Sequence, residues 1–335
     1  MNLAEQLQQK INQKTKPLGA LGKLEKLALQ IGILQKTLTP SLQNPTIVVF
    51  AGDHGIAQEG VSAYPQEVTY QMVLNFLRGG AAINVFCRQH QLALKVVDAG
   101  VKYHFEPHPD LVSAKAGWGT KNFLQATAMN ESELQFCLQE GSQIVRKLLE
   151  TGCNTIGFGE MGIANTSAAS MLMSYLCDLP IEQCVGKGTG VDDKGLLHKI
   201  EVLKKAQSFH GKISNPLQIL QTFAGFEMAQ MCGAMLEAFR QEMLILIDGF
   251  IASSVFLVAQ AIEPAIKQNA IFCHQSNEMG HRRMLEFLQA EPLLQLDMRL
   301  GEGTGCAVAF PVIQSAVAFL NEMASFESAG VSEKS

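Results

Sequence analysis

Five short apolar runs, each closed by a glycine or polar turn and followed by a longer helical pattern, constrain this chain most. They are Thr46-Ile47-Val48-Val49-Phe50, Leu94-Lys95-Val96-Val97, Thr155-Ile156-Gly157-Phe158, Met243-Leu244-Ile245-Leu246-Ile247 and Ala270-Ile271-Phe272-Cys273. Strands that do not alternate with polar residues are buried on both faces, and parallel neighbours need a helical crossover between them. The expected fold class is therefore α/β: a three-layer parallel sheet with helices on both faces.

The intervening helical patterns fit that order. Pro65 to Arg78, Thr166 to Tyr175, Leu196 to Gln207 and Pro216 to Phe239 read as helices, the last weakened by Gly225 and Gly233. Residues 1–40 carry a stripe of Leu24, Leu27, Ile31 and Leu34 after a break at Pro17-Leu18-Gly19, a packing pattern. The expected division is an α/β catalytic core over residues 41–304, with 1–40 and 305–335 forming a smaller helical lobe. Residues 324–335 are small and polar and are expected to fray.

Charge and cysteine usage narrow the function classes. A net charge of -5 with scattered Lys and Arg offers no basic stripe, so nucleic acid is not an expected partner. The apolar stretches Phe250–Ile266 and Cys306–Leu320 are interrupted and fall short of a bilayer span, so no membrane is expected either. The first residues lack a basic region followed by an apolar core, and the eight cysteines are dispersed with no Cys-x-x-Cys pair. Buried free thiols and a cytoplasmic location are the expectation.

Open α/β sheets bind ligands beyond the carboxyl ends of their strands. Asp53, Asp98, Glu160, Asp248, Ser276 and Glu302 fall near that rim, and Asp98 reads as a residue that fixes a turn. Glu302 lies in Arg299-Leu300-Gly301-Glu302-Gly303-Thr304-Gly305, one carboxylate among three glycines ahead of an apolar helix. It is either a catalytic base or a cap for that helix.

Gly157-Phe158-Gly159-Glu160-Met161-Gly162 matches the dinucleotide fingerprint, with Asp178 downstream, but no second strand precedes Asp178 and Glu160 would face a pyrophosphate. Gly186-Lys187-Gly188-Thr189-Gly190 with Lys199, and Met161-Gly162-Ile163-Ala164-Asn165-Thr166, each open a helix with donors suited to a phosphate. Asp192 or Asp193 could instead simply cap a helix there. Two such starts point to a mononucleotide. His54, His274 and His281 with Asp53 and Asp248 could form a metal site, but no metal-ligand spacing is present.

Seven segments, taken together and in order, resemble a known family. They are Ala51–Gly55, Val61–Thr69, Gly159–Thr166, Gly188–Gly190, Asp248–Ser253, Gly280–Arg282 and Leu300–Gly305. The family is that of the nicotinate-nucleotide:dimethylbenzimidazole phosphoribosyltransferases. The resemblance implies transfer of phosphoribose from nicotinate mononucleotide to 5,6-dimethylbenzimidazole with inversion, giving α-ribazole 5'-phosphate and nicotinate. It also implies a homodimer, with no cofactor and no metal.

By resemblance Glu302 is the base and Glu160 assists near the reaction centre. Gly162, Asn165, Thr166, Gly188, Lys199 and Ser276 surround the phosphate. Ser62, Gln71 and Leu300 lie near the aromatic base, and Gly303, beside Glu302, completes the substrate-binding set. The chain has Ala164 where the family is expected to carry glycine, which could narrow the backbone's approach to phosphate, and Ala224-Gly225 where Gly-Gly is expected. Two other functions remain open at this point, an NAD-dependent oxidoreductase and a noncatalytic nucleotide-binding sensor.

Overall fold

The computed structural model describes residues 1–188 and 190–332. The chain opens with α1 (Leu3–Asn12) and α2 (Lys23–Leu34), then β1 (Thr46–Gly52), α3 (Val68–Leu77), α4 (Ala82–His90), β2 (Ala93–Gly100) and β3 (Leu111–Ser113). There follow α5 (Glu131–Glu150), β4 (Thr155–Met161), α6 (Asn165–Cys177), α7 (Asp193–His210), α8 (Pro216–Phe223) and α9 (Phe226–Arg240). The last third holds β5 (Leu244–Ile247), α10 (Phe250–Ile262), β6 (Ala270–Phe272), α11 (His281–Phe287), α12 (Thr304–Glu322) and α13 (Phe326–Ala329).

The sheet has six strands in the order β3-β2-β1-β4-β5-β6, and every neighbouring pair is parallel. The five expected strands are present. The sixth, β3, escaped the sequence because it is three residues long and only partly buried at the sheet edge. From β1 the chain builds outward to β3, then returns and builds from β4 to β6 on the other side. The switch point lies between β1 and β4, where ligands bind in such sheets.

Side-chain alternation along β1 divides the core in two. Val48 and Phe50 belong to the apolar cluster that includes Ala168, Met171, Met231 and Phe256 from α6, α9 and α10. Ile47, Val49 and Ala51 face the other cluster, with Leu7, Ile31, Ile83 and Phe310 from α1, α2, α4 and α12. The two chain ends thus meet on one face of the sheet and share its core. Helix α12 is long and apolar enough to cross a membrane by length and composition, but its inner face is packed in this cluster.

The expected helix Pro216–Phe239 is two helices, because the chain turns at Ala224 and Gly225. A Cβ on Gly225 would stand 2.0 Å from Glu227 Oε2 and 2.5 Å from the His54 ring, so glycine is required there. Ala224 has φ -76 and ψ 158, an ordinary conformation, so alanine in place of the expected glycine costs nothing in the backbone. Gly233 has a packing role: a Cβ there would reach within 2.3 Å of Leu138 O on α5. All eight cysteines are free and buried.

Candidate active site

The segment before α12 crosses the carboxyl end of β4. Gly301, Glu302 and Gly303 have φ values of 83, 64 and 81, three successive left-handed residues. Two are glycines, for which that region carries no steric penalty, while Glu302 takes it against the preference of its side chain. The turn can lie this close to β4 because of Gly159: a Cβ there would sit 2.4 Å from the Glu302 carbonyl carbon and 2.6 Å from Gly303 N. From the end of β5, Asp248 secures it, accepting the Gly303 amide on Oδ2 at 3.1 Å and the Gly305 amide on Oδ1 at 2.6 Å.

Two carboxyl groups face one another across this corner. Burial pushes the Glu302 carboxyl up to about 7; the Ile83 amide at the start of α4 opposes that rise and the charge of Asp248 adds to it. Its Oε2 has no hydrogen-bond partner among the described residues. Glu160, at the end of β4, is pushed up to about 8 by burial and by Asp248, against the opposing hydrogen bond from Asn165 Nδ2. Both carboxyls are therefore pushed well above the usual carboxylate range, Glu160 further than Glu302, an ordering suited to one acid-form neighbour and one base.

The opposite wall collects donors for an anion. Lys199 on α7 is buried and donates to Thr166 Oγ1 at 2.8 Å, and burial lowers its ammonium to about 8, with Glu278 partly restoring it. Lys199 has no salt bridge among the described residues. A Cβ on Gly188 would lie 3.1 Å from Thr166 Oγ1 and 3.6 Å from Lys199 Nζ, so these three residues converge. Gly162 packs against the His54 ring, and Thr69 Oγ1 accepts the next amide, Ile163 N, at 3.1 Å. Thr189 lies outside the described residues. Asp192 caps α7 through Gly195 N at 2.7 Å, and Asp193 pairs with Lys187, so this acidic doublet faces its own turn.

The histidines considered for a metal are committed elsewhere or stand alone. His281 Nδ1 accepts the Ser276 amide at 2.8 Å, which leaves the proton on Nε2, 3.0 Å from Ser253 Oγ. Burial, with His274 beside it, depresses its pKa to about 3, so it stays neutral and fixes the segment carrying Ser276. His54 Nε2 lies 2.6 Å from Glu227 Oε1. No cluster that could hold a metal ion occurs among the described residues.

Both walls belong to one cavity of about 560 Å³. Glu302, Glu160, Ser62, Gly162, Asn165, Thr166, Gly188, Lys199, Ser276 and Leu300 all line it. Two of the expected residues do not. Gln71 is on the exposed side of α3, whose cavity-facing residues one turn apart are Val68 and Met72. Gly303 lies behind the wall against Gly159 and Ile47, with its amide taken by Asp248. Arg299 and His274 also line the cavity, although the sequence pattern gave neither a place in substrate binding. Arg299 stood next to the glycine run and donates through Nη1 to Gly188 O at 2.9 Å; His274 was weighed only as a metal ligand, after a strand.

With this geometry in place, the comparisons with known proteins are decisive. A family model described as Phosphoribosyltransferase matches residues 1–331. A nicotinate-nucleotide--dimethylbenzimidazole phosphoribosyltransferase of Dechloromonas aromatica is 55% identical over 331 residues, covering 98% of this chain and 95% of that one. The chain belongs to this phosphoribosyltransferase family. Its similarity extends to the enzyme of the same name from Cupriavidus taiwanensis, 55% identical over 329 residues with 98% and 95% covered. The crystal structure of CobT from Thermus thermophilus superposes with a TM-score of 0.96 at 41% identity, covering 99% of both chains.

The dinucleotide match dissolves in this phosphoribosyltransferase fold. Gly157 and Gly159 lie within β4, and their missing side chains make room for Ile47 and Cys306 in one case and for the Glu302 turn in the other. The motif is a strand built to be crossed closely, and the oxidoreductase reading has no support.

Proposed function

We propose that this protein transfers the phosphoribosyl group of nicotinate mononucleotide to 5,6-dimethylbenzimidazole, releasing nicotinate and forming α-ribazole 5'-phosphate. The observation that carries this reading is one cavity with a buried lysine at one wall and a buried, left-handed glutamate at the other, in a chain of this family. The phosphate lies with Lys199, Thr166, Gly188 and Ser276, where an ammonium, hydroxyls and backbone amides supply charge-assisted bonds. The phosphoribosyl group then spans the cavity floor toward Glu302 and Glu160. The acceptor base sits at the mouth against Ser62, Leu300, Val68 and Met72.

The pyridinium nitrogen of nicotinate mononucleotide is already cationic. When its bond to the anomeric carbon breaks, the electron pair stays on the ring nitrogen and nicotinate leaves with that nitrogen neutral. An imidazole nitrogen of the acceptor forms the new bond from the opposite face, so the β linkage becomes α. The proton on its other ring nitrogen passes to the Glu302 carboxylate. Glu160, still protonated, donates toward oxygen at the reaction centre and adds no second negative charge beside the base.

Incubation with nicotinate mononucleotide and a panel of benzimidazole, purine and phenolic acceptors tests the reading: α-ribazole 5'-phosphate and nicotinate should appear in equal amounts with the benzimidazole. Binding of the mononucleotide without nicotinate release under any acceptor would favour a sensor instead. We further propose a homodimer, on the family resemblance, which light scattering checks as twice the chain mass.

A further inference from the structure

Asp248 is buried at the end of β5 and touches the site from beneath. Each of its carboxylate oxygens accepts one backbone amide, from Gly303 and from Gly305, the residues that flank the end of the left-handed turn. This close approach requires glycine at 305: a Cβ there would lie 2.6 Å from Asp248 Oδ1 and 2.0 Å from His274 Cδ2. Glu302 holds φ 64, a conformation its side chain disfavours, so the surroundings must enforce it. We propose that Asp248 is the positioning residue for Glu302: its carboxylate clamps both amides that hold the turn, and places a fixed negative charge beside the base. The inference rests on Glu302 being the base.

The charges around this corner come from several elements. Glu160 faces it from β4, Asp248 from β5 and His274 from the segment after β6, where His274 Nε2 is 3.5 Å from Asp248 Oδ1. The thiols of Cys273 and Cys306 are near Asp248, and α4 presents the Ile83 amide to Glu302. Arg299, Lys199 and Glu278 stand across the cavity, and Glu227 on α9 acts on Glu160. Of these charges, that of Asp248 is the one that raises Glu302. Its charge makes the base harder to ionise and stronger once ionised.

Asp248→Asn removes the charge and gives one amide an amide instead of an oxygen. The turn then loses one of its two anchors, while the wall of Lys199 and Thr166 is untouched. Turnover should fall by about a hundredfold, the scale of a small misplacement of a catalytic group, with KM for nicotinate mononucleotide within about twofold of the parent. The acid limb of kcat should move to lower pH, which a merely structural role would not cause. Asp248→Ser, shorter and able to accept at most one amide, should show the same direction with a loss at least as large.

Unchanged turnover, a loss confined to KM, or a loss with the acid limb unmoved would each overturn the proposal. So would failure of both variants to fold, which would make Asp248 a determinant of folding. Glu302→Gln, assayed in parallel, separates the two readings. If Glu302→Gln keeps normal turnover, the base assignment itself falls; if it collapses while Asp248→Asn does not change, only the role of Asp248 falls.

Discussion

Two turns in this site open helices with a non-glycine residue in the left-handed region, and they do so for different returns. Glu302, φ 64, precedes α12, and Ala164, φ 76, precedes α6. At Glu302 the strained residue carries the carboxylate that we propose as the base, so on that reading glycine there would relieve the backbone and remove the chemistry. At Ala164 only a methyl group is gained. On the proposed function, strain at the first position serves the chemistry, and strain at the second is a mild cost beside backbone amides that we propose bind the phosphate.

The sharpest way to break this contrast is at the base. Glu302→Gln keeps size and turn but cannot take a proton, and turnover should fall by roughly two to four orders of magnitude with little change in substrate affinity. Near-normal rates would show that the left-handed glutamate is a cap after all. Supporting the turn matters almost as much: Gly159→Ala puts a methyl group 2.4 Å from the Glu302 backbone, so kcat should drop by about a hundredfold. Steady-state kinetics with both substrates varied would check both variants.

On the phosphate side the effects are smaller, because several groups share the anion. Lys199→Ala removes one charge-assisted bond, worth about 1.5 to 3 kcal/mol, so the preference for nicotinate mononucleotide over nicotinate riboside should shrink by roughly 10- to 150-fold. It should not vanish, since Thr166 and the helix amides remain; calorimetry on both ligands decides. Equal affinities in the unsubstituted protein would remove the phosphate assignment altogether.

The two walls also titrate in opposite senses. Glu302 must lose its proton to act, so kcat/KM should rise with pH through about 7; Lys199 must keep its proton to hold a phosphate, so the same quantity should fall above about 8. Ionisation of Glu160 near 8 adds to the fall. A profile flat from pH 6 to pH 9 would contradict both assignments. The smallest expected effect is at Ala164. Ala164→Gly relieves the left-handed strain and should raise unfolding stability by about 1 kcal/mol in denaturant melts, with kcat unchanged.

How legible the site was depended on what each residue's role requires. Glu302, Thr166 and Gly162 stood in glycine-bounded motifs, and Lys199 on the helix after one, with residue types that follow from close backbone approach and anion binding. Gln71 shows where such reading stops: helix α3 was expected, but which of its residues faces the cavity depends on the angle at which the helix packs, and that angle brings in Val68 and Met72 instead. The clamp by Asp248 was equally hidden, since it joins groups 55 and 57 residues apart in the chain.

The sequence alone determined the α/β class, five of the strands, the family and most of the polar residues that line the cavity, because these follow from short-range patterns: apolar period, glycine placement and motif order. Only the tertiary structure decided that both chain ends cover one sheet face, that Gly157 and Gly159 are clearance for a crossing turn, and that His281 orients Ser276. Those facts rest on contacts between segments far apart in the chain. Burial then fixed the last property that no local pattern holds, the unequal proton affinities of Glu160, Glu302 and Lys199, because the cost of a buried charge is set by everything packed around it.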